Sequence, residues 1–156
     1  MTVLRLCVRL FCGVVLMTML IVFGSAQRTA AATPTPVAPP APTAGAAAAQ
    51  DQRAAAGRQV YLQNYCGICH ALAAAGTNGS FGPSHNGIAT TARQRIADPA
   101  YRGNAATVVQ YLRESIVEPA AYAAAGYAHT SHPMPSYAHL SKRDLDALIY
   151  FLLQQK

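Results

Sequence analysis

A helical domain is the fold class this sequence predicts, and three observations predict it. Residues 141–155 set Leu145, Leu148, Ile149 and Leu152 at the three-and-four spacing of one helix face. Residues 51–65, D-Q-R-A-A-A-G-R-Q-V-Y-L-Q-N-Y, are dominated by alanine in their first half, and alanine is the best helix former. Between these segments, Cys66-Gly67-Ile68-Cys69-His70 sets two thiols one helical turn apart and an imidazole directly after them.

That pentapeptide is C-x-x-C-H, the attachment pattern of a c-type haem. The chemistry needs the spacing. One turn of helix brings both thiols to the two vinyl groups of a single porphyrin, and the next residue meets the iron as a neutral imidazole. Structural zinc needs four ligands, and no second C-x-x-C or paired Cys/His cluster follows. A thioredoxin-like pair needs a βαβ setting, which the flanking sequence lacks. Cys66 and Cys69 are therefore read as attachment points for one covalent haem c, and His70 as its proximal ligand.

The 156 residues leave room for one domain and additional segments. Of four cysteines, Cys7 and Cys12 lie in the apolar N-terminus, so no disulfide framework is available. Residues 1–50 carry Arg5, Arg9 and Arg28 with no acid, whereas residues 51–156 hold nine Lys/Arg against six Asp/Glu. Two haem propionates would bring the second part close to neutrality. No basic run or aromatic-interleaved patch is present, so nucleic acid is not an expected partner.

Residues 1–26 read as an export segment. Arg5 and Arg9 form a positive start, Leu10 to Phe23 is uncharged and mostly apolar, and Gly24-Ser25-Ala26 offers small residues to a signal peptidase. Counted on to Gln27, the stretch is near the lower limit for spanning a bilayer, so cleaved signal and retained anchor are both open. No lipobox surrounds Cys7 or Cys12. The flanking arginines place the N-terminus in the cytoplasm and everything after it outside. Residues 27–50 form a linker rich in proline, alanine and threonine, a composition that favours extended chain and cannot build a core. A tether is useful only if its far end is held, which favours the anchor through residues 10–26.

The haem domain is expected over residues 51–156. Its first helix starts at Asp51, whose charge complements the macrodipole, and places Gly57 and Tyr61 four apart on one face. Glycine inside a helix costs about 1 kcal/mol against alanine, and close approach of another helix compensates for it. The C-terminal helix is that partner. Ser141, with Asp144 three residues on, makes its N-cap. Phe151 is the residue expected to meet Tyr61 across Gly57, with Tyr150 as the alternative.

From Asp51 onward the chain resembles a class I cytochrome c, of the membrane-tethered respiratory-chain type. The residues that carry the likeness are G-x-x-x-Y before C-x-x-C-H, Gly82-Pro83, Tyr111-Leu112-Arg113-Glu114-Ser115-Ile116-Val117-Glu118-Pro119, Met134-Pro135 and the amphipathic C-terminal helix. The resemblance implies an all-α class I cytochrome c fold, with N- and C-terminal helices crossing around one covalently bound haem. It also implies that the Pro83 carbonyl accepts a hydrogen bond from His70, and that Met134 is the sixth ligand. Every other methionine lies in the export segment, so a thioether ligand has to be Met134. Pro133 and Pro135 stiffen its loop. His132 is the strongest rival; His129, His85 and His139 are weaker ones. Tyr111 is placed to hydrogen-bond toward the haem or the methionine sulfur, or else serves as a core aromatic. Arg93 and Arg95 are candidates to neutralise a propionate. One departure stands out: where the family often has leucine, two positions after the proline, this chain has His85.

Histidine and methionine together saturate the iron, and methionine raises the potential. The expected function is therefore single-electron transfer by an exported, periplasmic c-type cytochrome, and not enzymatic turnover. By the resemblance, its partners are redox proteins of a respiratory or photosynthetic chain: a quinol-oxidising complex, a terminal oxidase or a reaction centre. Two alternatives are a haem subunit fixed within such a complex, and a haem peroxidase or gas sensor with a labile sixth ligand.

Overall fold

In a computed structural model the residues described are 43–156. The expected export segment 1–26 and residues 27–42 of the expected linker lie outside them. Among the described residues, no helix is long and apolar enough to cross a membrane.

The first helix, α1, runs Ala44–Gln63. It starts before the expected Asp51, so residues 44–50 are helical where extended chain is expected. The reason is local: the last proline of the linker is Pro42, and alanines 46–49 then have the highest helix propensity of any residue. Among the described residues, the buried positions of α1 are Gly57, Val60 and Tyr61, all in its far half. Its partner is the C-terminal helix α5, Lys142–Leu153, numbered here in chain order with three helices between them. The Ser141 hydroxyl accepts from the Asp144 backbone N–H at 3.1 Å and donates to its carboxylate at 2.8 Å, the cap expected of this pair.

Where α1 crosses α5, Gly57 lies against the Ala147 carbonyl, and a Cβ at this position would also sit 2.6 Å from Phe151 Cβ. The Tyr61 and Phe151 rings meet edge to face at 6.1 Å. Phe151 is thus the partner of Tyr61, while Tyr150 lies under the Arg53 guanidinium at 4.6 Å. Leu145, Leu148, Ile149, Phe151 and Leu152 are buried along α5. Burying each such side chain stabilises by about 1.5–3 kcal/mol, so this crossing is the backbone of the domain.

Between the two, α2 is a single turn, Cys66–Cys69. Ala71–Leu72 (β1) and Thr77–Asn78 (β2) pair antiparallel, with Ala71 opposite Asn78, and a 3₁₀ turn at Ala73–Ala75 joins them. The loop after β2 folds back along α2: Gly82 N–H donates to Cys69 O and His85 N–H to Ala71 O, both at 2.9 Å. Helix α3, Ile88–Ala97, follows from a left-handed Gly87. Helix α4, Val108–Val117, begins at Thr107, whose hydroxyl caps the Gln110 N–H at 3.2 Å. The chain from 118 to 140 is irregular and is tied to the end of α4 by Tyr137 N–H to Ile116 O at 3.0 Å.

Candidate cofactor site

The site starts where α1 stops. Tyr65 takes a left-handed conformation, φ 57°, unusual for a residue with a Cβ. That bend turns the chain into α2, and His70 leaves the turn extended at φ −115°. Cys66 and Cys69 are half-buried free thiols. Burial pushes the Cys66 thiol up to about 11, so it is a neutral thiol and not an activated thiolate. Among the described residues, no three His, Cys, Asp or Glu side chains come together to hold a metal ion.

His70 is buried and held on several sides. Its Nδ1 lies 2.7 Å from the Pro83 carbonyl. A carbonyl only accepts, so Nδ1 carries the proton and Nε2 keeps its lone pair for a metal. Burial moves its pKa below the ordinary histidine value, against the pull of that hydrogen bond, so the ring is neutral. Gly82 makes the approach possible, because a Cβ there would sit 2.5 Å from His70 Cε1. The His70 carbonyl accepts from Thr77 Oγ1 at 3.0 Å and from the Tyr61 hydroxyl at 3.3 Å. The sequence motif is therefore wired into both the hairpin and the α1–α5 crossing.

A cavity of about 410 Å³ opens beside these residues, and Cys66, Cys69, His70, Pro83, Tyr111 and Met134 all line it. Leu148 and Leu152 of α5 close one side, which gives the mostly apolar wall usual for a cofactor pocket of this size. Arg95 reaches the cavity and donates to the Tyr111 hydroxyl at 2.8 Å. Arg93 is exposed and is not among the lining residues. His132 also lines the cavity, its ring 4.6 Å from Phe81, whereas His129 and His139 do not line it.

A family model described as Cytochrome c matches residues 54–156. The chain belongs to the cytochrome c family. No curated protein and no solved structure matches this cytochrome. Its five helices and one small hairpin among the described residues are the all-α class I cytochrome c fold implied by the resemblance. Membership implies a covalently bound c-type haem and haem-based electron transfer. The residues present fit that group: two free thiols one turn apart, a neutral imidazole with a free lone pair and a thioether line one mostly apolar cavity.

Sequence reasoning missed two features of this cytochrome. The Arg95–Tyr111 pair is brought together by the packing of α3 on α4, which no local pattern encodes. His85 is the second. Its ring stacks on His70, centroids 3.9 Å apart and 13° from parallel, and stands edge-on to Tyr61 at 5.8 Å. Its Nδ1 is buried without a hydrogen-bond partner. Burial, with His70 and Arg95 close by, pushes it down to about 3, so this ring too is neutral. His85 also lines the cavity, beside His70. The departure at this position was the one signal in the sequence.

Proposed function

We propose that this cytochrome is an exported, mono-haem electron carrier whose haem is joined through Cys66 and Cys69 and ligated by His70 and Met134. The observation that carries the reading is that the Met134 thioether lines the same cavity as the His70 imidazole. When bound, the haem supplies a one-electron iron couple. The protein's own residues supply the rest. Pro83 fixes the tautomer and direction of His70. Pro133 and Pro135 hold Met134 in a stiff loop, suited to a soft ligand that stays in place in both oxidation states. Leu148, Leu152 and Ile116 supply apolar lining to the cavity. Held by His70 and Met134, a haem here would supply one-electron transfer and not substrate turnover.

Tyr65, just before Cys66, and Ile68, between the two cysteines, are 71% and 61% exposed. They support a small apolar docking patch beside Cys66, suited to transient redox partners. Those partners are a quinol-oxidising complex, a terminal oxidase or a photosynthetic reaction centre, on the periplasmic side of a membrane to which residues 10–26 tether the chain. His132 is the specific rival to Met134, because it lines the same cavity.

The test is the absorption spectrum of the oxidised full-length holoprotein with and without Met134→Ala. The wild type is expected to show the weak methionine-to-iron charge-transfer band at the red end, and the variant to lose it. A wild type without the band, unchanged by the substitution, overturns the reading, and His132→Ala would then be the variant to make.

A further inference from the structure

His70 is restrained on its edges by Pro83 and Gly82, but edge contacts leave a ring free to rock about the bond it makes to a metal. A flat surface against its face removes that freedom. His85 provides one, 13° from parallel at 3.9 Å. His85 is itself immobilised. Its N–H donates to Ala71 O at 2.9 Å, its carbonyl accepts from Ile88 N at 3.2 Å, and its ring abuts the fully buried Tyr61. We propose that His85 is a positioning residue that sets the rotation of the His70 imidazole plane, and with it the orientation of the iron's proximal ligand.

The buried, unpartnered Nδ1 of His85 supports this. An unsatisfied buried nitrogen costs stability, a cost that filling space alone would not require, since an aliphatic side chain of similar volume would carry no such atom. What a leucine lacks is the planar face. The role depends on the shape and rigidity of the ring and not on a change in its charge.

The proposal rests on His70 being the iron's ligand, and its test separates the two. The readout is the NMR spectrum of the oxidised full-length holoprotein. The spread and order of the haem-methyl resonances follow the orientation of the axial imidazole plane. His85→Phe keeps a flat ring and is expected to retain the wild-type order. His85→Leu is expected to change that order, with the methionine charge-transfer band intact. If His85→Leu does not take up haem, His85→Ile replaces it with the same expectation. A wild-type order in the aliphatic variant overturns the proposal, and so does an equal change in the aliphatic and phenylalanine variants. His70→Gly distinguishes the underlying reading. Loss of its low-spin spectrum, restored by added imidazole, supports His70 as ligand; a low-spin spectrum unchanged in His70→Gly overturns both.

Discussion

Replacing Gly57 by alanine tests the helix crossing on which the site is built. Two effects oppose each other. Alanine is favoured over glycine inside a helix by up to about 1 kcal/mol. The new Cβ, however, would press on the Ala147 carbonyl and lie 2.6 Å from Phe151 Cβ and 2.7 Å from Ala147 C. Carbon atoms pack best at about 3.5–4.0 Å, so α1 and α5 would have to part by about 1 Å at this point. Overpacking of this kind costs about 1–3 kcal/mol. The cost falls toward the upper end here because the obstacle is main chain and cannot rotate away. The net expectation is a loss of about 1–2 kcal/mol, which lowers the melting temperature by roughly 4–8 °C per kcal/mol in a domain of this size. Urea unfolding of the holoprotein reads it as a lower midpoint with an unchanged slope. Gly45→Ala in the same helix is the control, since a Cβ there meets nothing within 4 Å; it should be neutral or slightly stabilising. A Gly57→Ala protein as stable as the wild type would refute the close-packed crossing.

Gly82→Ala would place a Cβ 2.5 Å from His70 Cε1 and 2.8 Å from Nδ1, forcing the imidazole off the Pro83 carbonyl. Its absorption spectrum should move from low spin toward high spin, and a wild-type spectrum would refute the geometry. Tyr61 is pushed up to about 12 by burial, partly opposed by the nearby Thr77 hydroxyl. A phenol whose folded value lies above its unfolded value near 10 stabilises the fold fully below that pH, and the contribution is lost as pH rises toward 12. Unfolding midpoints measured from pH 9 to 12 should therefore fall more steeply in the wild type than in Tyr61→Phe; parallel curves would count against the linkage.

Much of this cytochrome is determined by residues that act on their near neighbours. The turn bearing Cys66 and Cys69, the Ser141 cap, the face shared by Gly57 and Tyr61, and the stiff loop around Met134 all follow from spacing and local chemistry. For the same reason the pentapeptide alone points to a haem. The end of the linker was less legible, because alanine is compatible with both extended chain and helix, and only the absence of proline after Pro42 favours helix. Tertiary structure decided the rest. Whether Arg93 or Arg95 faces the cavity depends on how α3 lies on α4. That His85 stacks on His70, and does not point to solvent, depends on a loop folded back by two backbone hydrogen bonds onto Cys69 and Ala71. A local pattern specifies which way a side chain leaves its own element; which side chain it then meets is set by the long-range packing that closes the cavity.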